Sequence, residues 1–215
     1  VTFGDGNYQI PNSSFEEFHA EGSVDEPNHW HSFGSATGTY ASIVKTVDHT
    51  FISSETRPNS TGSKSVLVTS GKVLGIAVAN GTITTGLMKA GSMTASNSGN
   101  HAEIDLSSTA VDSNGDPFYT KLSGVPDSLA VWVKFKQGSV VAEHPYATVS
   151  AAITDGTYYQ EPQDKTYNNV VARASNKTIN SNGFAWQRIS VPFAAVNSEL
   201  DPKAILVTLS TNADP

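Results

Sequence analysis

The stretch Leu129-Ala130-Val131-Trp132-Val133-Lys134-Phe135-Lys136 decides the fold class. Successive side chains of an extended chain point to opposite faces, so Leu129, Val131, Val133 and Phe135 share one side and Ala130, Trp132, Lys134 and Lys136 the other. An apolar side backed by a largely polar one predicts a strand with one face on a core. The same period recurs at 41–51, 65–69, 74–79, 82–87, 102–106, 147–154, 169–174, 186–193 and 204–210. Turn signals stand between the runs: Pro58-Asn59, Asn80-Gly81, Ser98-Gly99-Asn100, Asn114-Gly115, Asp155-Gly156 and Asn182-Gly183. Asn80-Gly81 joins two apolar runs through two residues and predicts a type I′ hairpin. Asn197 to Leu200, ended by Asp201-Pro202, is the only segment that predicts a helical turn. Short strands at close spacing predict an all-β fold, either a two-sheet antiparallel β-sandwich or a barrel.

Composition narrows the partners. The 215 residues are enough for one core, and no boundary or fixed-period repeat divides them. Thirteen Lys and Arg against 20 Asp and Glu give a net charge of −7, with no basic run to neutralise phosphates, which argues against nucleic acid. No apolar run approaches the roughly 18 residues of a transmembrane helix. Cysteine is absent, which excludes a disulfide framework, thiolate metal sites and a thiol nucleophile.

Asn12-Ser13-Ser14-Phe15-Glu16, followed by Trp30, looks like the opening of secreted sugar-binding β-sandwich modules. Further pieces recur in order: Gly62-Ser63-Lys64-Ser65-Val66-Leu67, the run from Val78 to Gly86 containing Gly-Thr-Ile-Thr-Thr-Gly, Gly124 to Phe135, Trp186 to Phe193, and Pro202 to Thr208. Together they resemble the putative carbohydrate metabolism domain of secreted proteins of gut Bacteroidetes, over nearly the whole chain. The resemblance implies a jelly roll similar to galactose-binding and other carbohydrate-binding modules, as one domain over 1–215. It also implies an oligo- or polysaccharide ligand, possible flanking domains, and secretion or attachment at the outer membrane or cell surface, with any signal removed before Val1. Such chains continue past a segment like Ser210 to Pro215 into a closing strand with a Val-Asp-Asp motif. The expectation is therefore that this chain lacks its final strand.

In such modules the carboxylate after the core Phe holds a structural Ca²⁺, so Glu16, with a carbonyl near Lys64, is the candidate calcium site. The alternative is a carboxylate that accepts backbone N–H groups near Lys64 and Ser65. Alternation turns Trp132 outward with Lys134, and an aromatic face suits the C–H side of a sugar ring. Arg173 and the pair Tyr158-Tyr159 are the residues expected to extend this platform. The other reading has loops cover Trp132 in a second, minor core. Trp30 and Trp186 read as packing residues. His29-Trp30-His31 sets two imidazoles at i and i+2, a possible transition-metal pair with no third ligand at readable spacing, and two solvent-exposed histidines are the simpler reading.

Glycosidases use two carboxylates about 5–9.5 Å apart. The pairs Glu16/Glu17, Glu103/Asp105 and Glu143/Glu161 exist but sit in no catalytic motif, and neither a Gly-x-Ser-x-Gly elbow nor a His-Glu-x-x-His is present. The leading expectation is a non-catalytic carbohydrate-binding module. The alternatives are a glycoside hydrolase and an adhesive or structural module.

Overall fold

The computed structural model describes residues 2–3, 8–75, 77–137 and 145–211. The fold is an antiparallel β-sandwich, and its centre is the pair of long strands Ala147–Thr154 and Val170–Ile179. Ala204–Ser210 pairs with the other edge of Ala147–Thr154, and Thr120–Lys121 and Thr82–Thr84 both pair with Ala204–Ser210. Ala194–Ala195 borders Val170–Ile179 and completes a six-stranded sheet. No helix among the described residues is long and apolar enough to cross a membrane.

Each face of this central sheet is covered differently. On one face Val149, Ala151, Ile153, Ala172, Ala174, Ile205 and Val207 pack against Leu129 and Val191, with Val131, Val133 and Ile189 beside them. The latter five come from Ser128–Val133 and its antiparallel partner Gln187–Pro192, which form the second layer. The apolar side read from the sequence is thus the buried one, and period two puts Trp132 and Arg188, directly opposite each other, on its outside. On the other face Ala152, Val170, Ala204 and Leu206 meet Met88, Ala102, Ile104 and Tyr159. Those residues belong to a small sheet of Leu87–Ala90, Asn100–Ile104 and Tyr159–Glu161. Trp30 is fully buried, its ring 5.2 Å from Phe15 and its Nε1–H donating to Pro11 O at 3.1 Å.

Four local readings are corrected. Residues 41–51 were expected as one strand, but Ala41–Val44 is a helix and the strand is Thr50–Ser53. Tyr40, Ile43, Val44 and Val47 fit an i, i+3, i+4, i+7 spacing, so the apolar residues of this stretch also suit a helix. The run 82–87 is two strands, because the chain changes sheets at Thr85 and Gly86. Thr85 Oγ1 accepts Val207 N–H at 2.9 Å and donates to Ile205 O at 3.2 Å, and Gly86 lies so close to Glu103 O that a Cβ would collide with it. Asn80-Gly81 is not a hairpin. Thr82–Thr84 pairs with Ala204–Ser210, Thr211 N–H donates to Gly81 O at 2.9 Å, and neither Asn80 nor Gly81 has a positive φ. A tight hairpin lies earlier, where Gly71–Val73 pairs with Ala77–Ala79 and the connection contains Leu74 and Gly75 at φ 52° and 69°. Finally, Asn197 to Leu200 forms a turn rather than a helix.

Candidate functional site

The residues expected to form one sugar platform divide among three places. Trp132 is 39% exposed on the outside of the second layer, with the Arg57 guanidinium 5.7 Å from its ring centroid. Lys134 lies on the same side. Its Nζ sits 2.5 Å from Glu55 Oε2 and 4.1 Å from the Phe184 ring, which fixes it in local contacts. Arg173 projects from the opposite side of the main core, on the face of the central sheet that carries Ser150, Ala152 and Leu206. Tyr158 belongs to a third place, the outer face of the small sheet. The convergence of Trp132, Lys134, Arg173, Tyr158 and Tyr159 is therefore corrected: two layers of sheet separate the first pair from Arg173.

Around Arg173 the small sheet stops short of covering the central one. The gap is a cleft of about 220 Å³ lined by Ser150, Glu161, Arg173, Ser175, Lys177 and Thr208 over a floor of Ala152 and Leu206. Arg173 Nη2 donates to the Tyr159 hydroxyl at 2.7 Å, Nη1 lies 3.5 Å from Glu161 Oε2, and the Tyr159 hydroxyl donates to that same carboxylate oxygen. Tyr159 is fully buried, so it cannot stack on a ligand; it braces Arg173 instead, with the guanidinium 5.4 Å from its ring centroid. Burial, and then the Glu161 charge, push the Tyr159 phenol well above its usual range, so it stays a donor. Arg173 and Glu161 each keep about a third of their side-chain surface exposed. A larger depression of about 450 Å³, lined among others by Ile10, Leu122, Ile205, Lys121 and Lys203, presents no carboxylate and no aromatic ring among the described residues.

On the outer face of the small sheet, Glu103 joins Lys89 at 3.4 Å, His101 Nε2 at 3.0 Å and the Tyr158 hydroxyl at 3.1 Å. Burial opposes ionisation of Glu103, yet the His101 contact and the Lys89 charge outweigh it and hold the carboxyl below its usual value. Its neighbour in sequence, Asp105, instead caps its own turn through Ser107 N–H at 2.8 Å. Glu143 of the third carboxylate pair lies outside the described residues.

Glu16 occupies a cradle made by the turn at 62–64. Ser63 N–H donates to Oε1 and Oε2 at 2.9 and 3.1 Å, Ser63 Oγ to Oε2 at 3.1 Å, and Lys64 N–H to Oε1 at 3.0 Å. Lys64 Nζ donates to the Glu16 carbonyl at 3.0 Å. Lys64 therefore enters as a donor to Glu16 through both its backbone N–H and its side chain. The backbone N–H groups of Lys64 and Ser63 lower the Glu16 pKa.

A second acidic region lies in the interior beneath the 18–27 hairpin. His19 and Glu26 stand directly opposite each other in Phe18–Glu21 and Val24–Pro27. His31 follows, tied to the central sheet by paired backbone bonds with Thr84 at 2.8 and 2.9 Å. Asp112 enters from the turn 112–116. Glu26 and His31 are both fully buried, and the Asp112 side chain is equally inaccessible. His19 Nε2 and His31 Nδ1 lie 3.4 and 3.5 Å from Asp112 Oδ2. Burial pushes the His31 imidazole down to about 4 despite the Asp112 charge, and burial raises Glu26 despite its bonds to Ser32 and Ser35. The expectation of two exposed histidines is corrected for His31, whereas His29 is partly exposed and its Nδ1 meets Asp116 Oδ1 at 2.9 Å. Sequence reasoning missed His19, Glu26 and Asp112. Asn114-Gly115 was legible as a turn, but nothing local indicates that its first residue, Asp112, meets a hairpin more than 80 positions away.

No protein-family model and no curated protein matches the chain. Among solved structures it is similar to a putative glycoside hydrolase from Bacteroides thetaiotaomicron, with a TM-score of 0.59 and 14% identity. The alignment covers 91% of this chain and 62% of that one, so the chain spans about 62% of that protein's length, and at this identity what the two share is the fold.

Proposed function

We propose that this chain is a non-catalytic carbohydrate-binding module of a secreted or cell-surface bacterial protein, and that the Arg173 cleft receives an oligo- or polysaccharide. The observation that carries the reading is the Tyr159-braced Arg173–Glu161 pair, set among the hydroxyls of Ser150, Ser175 and Thr208 and the Lys177 ammonium. A sugar presents vicinal hydroxyls that both donate and accept, and a fixed guanidinium beside a carboxylate offers the complementary pattern. Preorganisation by Tyr159 lowers the ordering cost that a free Arg would add on binding. The carbohydrate theme is supported by the shared fold with the putative glycoside hydrolase of Bacteroides thetaiotaomicron. Hydrolysis by the usual route needs two carboxylates, and Glu161 is the only one lining the cleft among the described residues. Trp132, 39% exposed beside the Arg57 guanidinium, is the alternative platform if the cleft is not the site.

A glycan array followed by titration of the strongest hit tests the proposal. Arg173→Ala and Glu161→Gln should each weaken binding by roughly ten-fold or more, the scale of losing a hydrogen bond to a charged group, while Trp132→Ala leaves it unchanged. Loss in Trp132→Ala alone moves the site to the second layer. Release of reducing sugar establishes the hydrolase, and silence across the array removes the carbohydrate reading.

A further inference from the structure

The interior cluster of His19, Glu26, His31 and Asp112 has a pattern that a packed core does not leave by accident. Each side chain has one polar atom committed and the other bare. His31 Nε2 faces Pro117 O at 3.3 Å, and since a carbonyl only accepts, that nitrogen carries the proton and Nδ1 keeps a lone pair. His19 Nδ1 faces Asn28 Oδ1 at 3.1 Å, which leaves the lone pair on Nε2. Glu26 Oε1 accepts Ser32 N–H, Ser32 Oγ, Ser35 N–H and Ser35 Oγ at 2.8, 2.5, 3.0 and 3.2 Å. Asp112 Oδ1 accepts Asn114 N–H and Asp116 N–H at 2.9 and 2.8 Å. The remaining four atoms, His19 Nε2, Glu26 Oε2, His31 Nδ1 and Asp112 Oδ2, are all buried and have no hydrogen-bond partner among the described residues.

Four bare acceptors sharing one interior region repel one another, and each loses about 1–3 kcal/mol of solvation with no return. A cation at their centre removes the difficulty. Ligand atoms of Glu26, His31 and Asp112 lie within 4.8 Å of one another, and so do those of His19, Asp112 and Asp116. At bond lengths of about 2.0–2.1 Å, tetrahedral ligands sit about 3.3–3.4 Å apart, close to the observed His19–Asp112 and His31–Asp112 separations of 3.4 and 3.5 Å. The same spacing suits oxygens around a larger ion, so the donor atoms decide: two imidazole nitrogens select a borderline transition metal over calcium. Two carboxylates also match the charge of a divalent ion.

We propose that Glu26, His31 and Asp112, with His19 beside Asp112 as the further nitrogen donor, form a divalent transition-metal site, with Zn²⁺ the ion that best fits two nitrogens and two oxygens. Pro117, Asn28, Ser32, Ser35, Asn114 and Asp116 orient the ligands from behind, the outer-shell arrangement that fixes tautomer and direction in metal proteins. Because the donors are protein side chains closed off in the interior, the ion is structural. It ties the 18–27 hairpin, the His31 segment bonded to the central sheet, and the 112–116 turn into one unit. His19 and Glu21, whose side chains keep 9% and 18% of their surface, mark the side by which an ion enters. The site shares no residue with the Arg173 cleft and stands or falls independently of carbohydrate binding.

The test uses the purified chain stripped of metal and titrated with Co²⁺ and Zn²⁺. The expected result is one ion per chain, the visible absorption of tetrahedral Co²⁺ displaced by Zn²⁺, and a higher melting temperature with Zn²⁺ but not with Ca²⁺. His19→Gln should weaken Zn²⁺ binding by more than about 100-fold, and Asn28→Ala, which removes only the partner of His19 Nδ1, by about 10–100-fold. Asn28→Ala should keep the Co²⁺ spectrum at saturating metal. No binding by the folded wild-type chain, binding unchanged in both variants, or stabilisation by Ca²⁺ alone would each overturn the assignment. The wild-type titration decides even if a variant fails to fold.

Discussion

Two carboxylate regions in the first part of the chain stand in opposite states. Glu16, at the surface, has both oxygens filled by four contacts from Ser63 and Lys64, and its pKa is lowered by those donors. Glu26 and Asp112, in the interior, each have one oxygen filled and one bare, and the bare ones face two imidazole lone pairs. The first arrangement is complete with protein donors. The second is complete only with a positive charge that the described side chains do not supply. Motif reading expects calcium at Glu16, whereas hydrogen-bond accounting points to a transition metal at Glu26 and its neighbours. The difference teaches that ligand demand follows the unfilled acceptors.

The largest effect should come from removing Asp112. Asp112→Ala strips the acceptor from Asn114 and Asp116 N–H and takes a ligand from the cluster, so urea denaturation with zinc present should show a loss of about 3 kcal/mol or more. A loss below 1 kcal/mol would mean that the turn and the cluster are not coupled.

Glu26→Gln gives a sharper comparison because its sign should reverse with metal. Without metal, the amide can still accept from Ser32 and Ser35 while its NH₂ reaches the bare acceptors, so the variant should match or exceed wild type by about 1 kcal/mol. With saturating zinc the wild type should be the more stable. The same ranking in both conditions would break the contrast.

Glu16→Gln should have the smallest effect, with no response to zinc. Its pH dependence follows from the lowered pKa. A carboxyl whose folded value lies below the unfolded one stabilises the protein above the unfolded value, and that stability is lost as pH falls through the folded value. The stability gap between wild type and Glu16→Gln should therefore be flat above about pH 5 and close on acidification below the usual 4.5. A gap that widens in acid would show that donors other than Ser63 and Lys64 control Glu16. Added calcium should leave the wild-type melting temperature unchanged if the cradle alone satisfies the carboxylate; a calcium-dependent rise lost in Glu16→Gln would restore the calcium reading.

Alternation along 129–135 and 147–154 was enough to name the sheet strands and to tell inside from outside. Val131 and Val133 pack on the core, and Trp132 faces out. Period two follows from backbone geometry alone and needs no knowledge of the partner. Readings that required a partner went wrong at identifiable residues. Asn80-Gly81 has hairpin chemistry, but Thr82–Thr84 finds Ala204–Ser210 more than 120 positions away instead of its sequence neighbour. Thr82 to Leu87 reads as one run, yet it serves two sheets because Thr85 Oγ1 replaces a backbone partner.

The sites divide along the same line. Sequence alone singled out Arg173 and Tyr159 as sugar-contacting candidates and left Glu161 in a carboxylate pair without a motif, and the resemblance set Glu16 near Lys64. Only the tertiary structure decided that Tyr159 lies buried behind Arg173, that two layers of sheet stand between Trp132 and the cleft, and that Glu26, His31 and Asp112 converge in the interior with His19 beside Asp112. Side-chain direction along a strand is a local property of covalent geometry. Convergence depends on which strands pair and which loops close over them, and those choices are made by burial summed over the whole chain.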